Sequence, residues 1–368
     1  MGVRSWCAVA CLGVLAQASA VGAATPAIDD IHADMPALIR EAATGATRFA
    51  VDIPHPVSID SAGTWTASGA VANWDYTVRV ATAVSMSLHA SEISLPPDAV
   101  LTVRGGGVVR RYTSSDIRNG ELWSHPLPGD TLYLSVVVAR SAQSLVRVRI
   151  NSVQAGYRSL GGKVPDHPYF RALKAAVATS GCSLNYACEA TAANQGPANA
   201  TVALVIGNVV QCTGSVMADT ALDAAPYILT ARHCQSGVLG GGNPGAAADT
   251  WIYWDAVTPC GGTLGSIYDG TALTQFGAQT VVEEQDAWLI RLNDPPVASD
   301  AYFSGWDATG GTFVGGYAVH HALGYNKQFV GWNGQALLHT LSAASLHVGY
   351  DSTFWGVVNA RGHVGAGA

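Results

Sequence analysis

The sequence predicts an all-β protein with two regions, an N-terminal β-sandwich followed by a cysteine-bearing β domain. Three observations carry this. From about residue 47 onward, short runs of alternating apolar and polar residues recur between Gly, Pro, Asn and Asp breaks. Gly occurs 41 times, and 49% of residues are hydrophobic against 12% charged, a balance that favours strands and turns over long solvated helices. The cysteines beyond the N-terminal segment all fall at or after residue 182 of the 368-residue chain.

Residues 1–24 read as an export signal. Arg4 precedes the apolar run "WCAVACLGVLA", and "ASA" at 18–20 and "GAA" at 22–24 are small-residue cleavage candidates. That run is too short to span a bilayer, and no later run is long enough. A soluble product exported to the periplasm or the medium is expected. The net charge of −7 and the absence of any Lys/Arg run exclude nucleic acid as a natural partner. Export implies an oxidising compartment. Cys7 and Cys11 leave with the signal, so five cysteines remain: Cys182, Cys188, Cys212, Cys234 and Cys260. Five is odd, which leaves one thiol free or paired outside this sequence.

Residues 25–44 form a polar, helix-leaning lead-in. Strand composition follows in "WTASGAVANWDYTVRVATA", "AVLTVRG", "GVVRRYTS", "TLYLSVVVARS" and "SLVRVRINSVQAGYR". Turns "PPDA", "RGGG" and "LPGD" separate these runs, and the whole reads as a small antiparallel sandwich ending near 157. Residues 158–180 change to Gly, Pro and a short helical or flexible piece, a linker with a plausible cut site near Lys174. From 181 the strands become longer and more aromatic.

The stretch "CTGSVMADTALDAAPYILTARHC", residues 212–234, holds the chemistry. "YILTA" is an apolar strand that ends on small residues, directly before His233 and Cys234. A bridge from Cys234 to Cys212, 22 positions upstream, would staple the loop that carries His233. A general base must hold its place for proton transfer to be efficient. Further on, "EEQDAWLIRLNDPP" sets Asp286 before an alternating apolar strand, 53 positions after His233. A carboxylate there could hold the imidazole in one tautomer, although an Asp at a strand start is also a common turn residue.

"LTARHC", with an upstream "CTGS" strand, resembles the base motif of trypsin-like (chymotrypsin-fold) serine proteases. Asp286, Leu289 and Leu292 match that family's "D-x-x-L-x-x-L". "GCSLNYAC", "YWD", "FSGWDAT" and "AVHHALGYNKQFV" follow the order found in the bacterial secreted lysyl endopeptidase group. The sandwich, with "GELWSHPLPGD", is similar to that group's pro-regions.

The resemblance implies a pro-region over 25–157, a maturation linker at 158–180 and an incomplete trypsin-like double β-barrel over 181–368. It implies His233 as general base and Asp286 as its orienting carboxylate. It pairs Cys212 with Cys234 and Cys188 with Cys260, and leaves Cys182 without its partner. The family nucleophile lies in "G-x-S-G-[SG]". With Gly367 as the first Gly and Ala368 as x, the expected serine directly follows Ala368. Positions 181–368 supply 188 residues where such a domain needs roughly 220–250. The expectation is therefore a truncated and inactive chain. Cleavage after Lys or another basic residue is implied, although the acidic group that would read that side chain lies near or after the nucleophile.

Ser215 belongs to the "CTGS" strand and is expected to pack, and Ser304, Ser345 and Ser352 lack the glycines that build a tight turn and aim backbone N–H groups at an oxyanion. His320 and His321 have no acidic or thiol partner at ligand spacing, so neither a metal nor another cofactor is expected. Trp251, Trp254, Trp306, Trp332 and Trp355 are expected in the core or a cleft wall. The expected partner is a protein or peptide substrate, with no membrane, and the chain is expected to be a monomer. The alternative is a non-catalytic secreted homologue, or a pseudogene product, serving as a binding module.

Overall fold

The computed structural model describes residues 27–42, 47–159, 167–169, 184–236, 246–284, 286–306, 315–333, 337–340 and 353–356. The protein is all-β, as the sequence predicts. In the N-terminal region a first sheet holds β1 (Ile28–Ile31), β3 (Thr64–Ser68), β4 (Val71–Val80), β6 (Val100–Gly105), β7 (Val108–Tyr112) and β10 (Thr131–Ala139). Its order is β1-β4-β10-β6-β7, with β3 also on β4. A second sheet holds β2 (Ala50–Ser58), β5 (Ser85–Ser94), β8 (Leu122–Trp123), β9 (Leu127–Pro128) and β11 (Arg147–Gly156). Its order is β2-β11-β5-β8, with β9 also on β5.

The two sheets share one core. On β10 Leu132, Leu134, Val136 and Val138 point inward at alternate positions, and β4 supplies Trp74, Tyr76, Val78 and Val80. From the other sheet come Val51, Met86, Leu88, Val148 and Val153. Two sheets that bury their facing side chains in one shared core define a sandwich. Helix α1 (Met35–Ala42) closes one side by burying Met35 and Ile39, four residues apart and so on one face.

The helix-leaning lead-in holds helix α1 over Met35–Ala42, and departs from that reading only at its start, where β1 forms. β1 pairs in parallel with β4, Ile28 opposite Thr77. Its polar composition reflects its place at a sheet edge. Asp30 takes two hydrogen bonds from Arg79, at 2.6 and 3.1 Å, and Asp29 accepts from the Tyr76 hydroxyl at 2.7 Å.

The C-terminal region begins with β12 (Leu184–Asn185) and two short helices, α2 (Tyr186–Glu189) and α3 (Ala192–Ala200). Then come β13 (Thr201–Ile206), β14 (Val210–Met217), β15 (Tyr227–Ala231), β16 (Thr250–Trp254), β17 (Leu273–Phe276), β18 (Ala278–Glu284) and β19 (Ala287–Leu292). These make a seven-stranded sheet in the order β17-β16-β13-β14-β15-β19-β18. Further on, β20 (Gly315–His320) and β21 (Gln328–Asn333) form a three-stranded sheet with β12. Strands β22 (Leu337–Thr340) and β23 (Thr353–Gly356) pair with each other.

Strand β13 is buried on both faces. Val202, Leu204 and Ile206 join Ile228, Ile252, Trp254, Trp288 and Ile290 in one core. Ala203 and Val205 join Trp251, Tyr253 and Tyr268 in another, which Phe49 of the N-terminal region completes. Among the described residues no helix is long and apolar enough to cross a membrane.

Candidate active site

Strand register builds the site. β15 and β19 run antiparallel with Ala231 opposite Ala287, so the next residue on each side, Arg232 and Asp286, also meet. The Arg232 N–H donates to the Asp286 carbonyl at 2.8 Å. β15 then turns into a one-turn 3-10 segment, Arg232–Gln235, that carries His233 and Cys234. Ile228 anchors the strand in the core, and the Thr230 hydroxyl donates to the Thr213 carbonyl at 2.8 Å.

His233 is held by one carboxylate at two points. Its main-chain N–H donates to Asp286 Oδ1 at 3.0 Å. Its ring Nδ1 lies 2.9 Å from Oδ2 and 3.1 Å from Oδ1. Both side chains are about 15% exposed. Burial acts to raise the Asp286 carboxyl, but hydrogen bonds from the His233 ring and backbone, with the charges of His233 and Arg232, outweigh it and hold the group below its ordinary value. Asp286 is therefore ionised at neutral pH and accepts, which puts the neutral imidazole's proton on Nδ1 and leaves Nε2 as the basic nitrogen.

Cys212, 2% exposed on β14, bonds to Cys234, 1% exposed, across a Cα separation of 6.1 Å. The staple adjoins His233 directly. Cys188 bonds to Cys260 with Cα atoms 4.7 Å apart, tying α2 to the loop after β16. Cys182 lies outside the described residues, as do the export segment, most of 158–180 and the stretch 357–368. One ligand atom each from Cys212, His233 and Cys234 cluster within 4.8 Å. Both sulfurs are spent in the disulfide and have no thiolate to offer, so this donor set does not fit a metal.

A second ring of contacts escaped the sequence reading. Gln235 donates to Glu283, and Arg232 Nε lies 3.9 Å from the same carboxylate. Separately from this ring, at the end of β16, Lys327 is fully buried 3.9 Å from Asp255, whose backbone has φ +50°. Burial pushes the Lys327 amine down to about 8, against the opposing pull of Asp255 and Asp300. The sequence holds no clear signal for such a pair, since in "GYNKQFV" the Lys stands between the polar Asn326 and Gln328.

His321 is structural. Its N–H donates to Thr213 Oγ1 at 3.0 Å, and its carbonyl accepts from Gln211 Nε2 at 2.8 Å. Ser215 is a pairing residue of β14, opposite Thr201 and Leu229, and the Ser304 N–H donates to the Val216 carbonyl at 2.9 Å. Ser345 and Ser352 lie outside the described residues. Trp254 and Trp251 are core residues, whereas Trp306, expected in the core or a cleft wall, is 62% exposed on the loop after Ser304. The side chains of Trp332 and Trp355 lie outside the described set.

A histidine at the end of an antiparallel strand, clamped by a carboxylate from the next strand and stapled by the adjoining disulfide, is the arrangement of the trypsin-like proteases. Residues 177–363, just over half of the chain, match the family model described as lysyl endopeptidase, C-terminal domain. The chain belongs to the lysyl endopeptidase family.

Proposed function

We propose that the chain is the precursor of a secreted serine endopeptidase that cleaves peptide bonds after lysine or another basic residue by acyl-enzyme chemistry. The observation that carries this reading is the double acceptance by Asp286, which takes both the main-chain N–H and the ring N–H of His233. Such a carboxylate fixes ring position and tautomer together, and it stabilises the imidazolium that forms when Nε2 removes a proton from a serine hydroxyl. Nε2 later returns that proton to the leaving amine, and water then repeats the cycle on the acyl ester.

Among the described residues no hydroxyl bonds to His233 Nε2. Residues 1–24 serve as the export signal, 25–157 as the pro-region, 158–180 as the maturation linker and 181–368 as protease domain. The two disulfides accord with an oxidising compartment. The preference for lysine rests on the family description alone.

The test is labelling of the secreted product of the whole reading frame, including any codons after Ala368, with a fluorophosphonate. One serine should be labelled, and His233→Ala should abolish the signal. Labelling that persists in His233→Ala overturns the role given to His233. Peptides differing only at the residue before the cut decide the lysine preference.

A further inference from the structure

The outer face of the seven-stranded sheet has the composition of an interior. An antiparallel sheet with one solvated face alternates apolar and polar residues along each strand. β13, "TVALVI", and β16, "TWIYW", do not alternate, and every residue of both is buried. Their second faces present Ala203, Val205, Trp251 and Tyr253, and the N-terminal sandwich covers them.

The cover is specific as well as apolar. The chain entering β2 pairs with the start of β14: the Phe49 N–H donates to the Val209 carbonyl at 2.9 Å, and the Gln211 N–H to the Thr47 carbonyl at 3.0 Å. Phe49, 1% exposed, seats against Tyr268 with ring centres 6.3 Å apart. The His125 ring lies 3.8 Å from that of Trp251, and its Nε2 is 3.2 Å from Thr274 Oγ1. Asn208, at the β13–β14 turn with φ +56°, donates from Nδ2 to the buried Ser124 carbonyl at 2.7 Å. These contacts fall on β13, β16, β17 and the start of β14. His233 and Asp286 sit at the β15–β19 end, on the other side of β14.

We propose that the sandwich is a lasting non-covalent partner of the protease domain, which stays docked on this outer face after the connecting chain is cut and leaves the His233–Asp286 site uncovered. Trp251, Tyr253 and Tyr268 are large aromatic side chains; within the protease domain Trp251 meets Phe276 and Tyr253 meets Tyr268, and the faces left over lie under His125 and Phe49. A protease domain that shed the sandwich would present them to water. The inference concerns association and holds or fails independently of the catalytic reading.

The test inserts a recognition site for a sequence-specific protease into residues 170–183 of the full chain, cuts it and passes the product over a sizing column at neutral pH. The two fragments should co-elute as a 1:1 complex and separate only in denaturant. Fragments that elute separately without denaturant, folded or aggregated, overturn the proposal. Asn208→Gly keeps the left-handed turn and deletes only the bond to Ser124. It should speed dissociation of the cut complex about tenfold. An unchanged dissociation rate in Asn208→Gly combined with Phe49→Ala, with each fragment's circular dichroism intact, also overturns it.

Discussion

Acid should unfold this protein from the inside, and His321 is the group that shows why. It is fully buried. Its ring Nδ1–H donates to the Tyr325 carbonyl at 3.1 Å, and Nε2 has no partner among the described residues. Burial first, and then the positive Lys327, push its pKa down to about 3. The unfolded chain takes up a proton near the ordinary value of about 6.5. Stability from this residue is therefore complete above pH about 6.5 and is lost as pH falls towards 3, because the unfolded state binds a proton that the folded state refuses. The slope is up to about 1.4 kcal/mol per pH unit, which amounts to about 2 kcal/mol at a pH of about 5. His125 and His320, both lowered by burial, act with the same sign. Urea midpoints at neutral pH and in mild acid measure the loss. His321→Asn retains a side-chain N–H for the Tyr325 carbonyl and cannot be protonated. That variant should be weaker at neutral pH yet lose about 2 kcal/mol less on acidification. An acid slope equal to that of the parent would refute the reasoning, since it would mean that His321 contributes no proton uptake.

Four other outcomes are expected. In the active product, Asp286→Asn should lower kcat by about 10⁴, because an amide no longer selects the Nδ1–H tautomer, and a rate within tenfold of the parent would count against that assignment. Replacing Cys212 and Cys234 together by Ala opens a loop closed over a sequence separation of 22 and should cost about 3 kcal/mol in a thermal or urea melt. Lys327, held at about 8, should make stability rise with pH between about 8 and 10.5, the window in which only the unfolded state keeps the proton, and Lys327→Met should flatten that rise in alkaline urea titrations. Trp254→Ala removes one of the largest buried side chains and should cost about 3–5 kcal/mol, read from the same melts.

Much of the site was legible because its signals are local. "YILTARHC" holds the strand, the turn, the imidazole and a half-cystine within eight residues, and "DAWLIRL" holds the carboxylate with the alternation that makes β19 a strand. The sandwich strands were legible for the same reason, since β10 writes its two faces in turn. What escaped was decided across long separations. Nothing near Phe49 announces that it will sit against Tyr268, and the four-residue β1 looks polar because its aspartates bond to Tyr76 and Arg79 on β4. One overlooked signal was present. The unbroken apolar run "VALVI" in β13 is wrong for a strand with one wet face, and it marked a face that something else must cover.

The way the His233–Asp286 pair is placed also limits how relatives of this chain can vary. Neither residue is positioned by its immediate neighbours so much as by where β15 and β19 lie alongside each other, Ala231 against Ala287. Side chains along that ladder can be exchanged for others of similar volume with small effect. Adding or deleting one residue within 227–231 or 287–292 shifts the ladder by one rung and turns the carboxylate to the opposite face. Length differences among homologues should therefore collect between Gln235 and β16 and between β16 and β17, and spare these two segments.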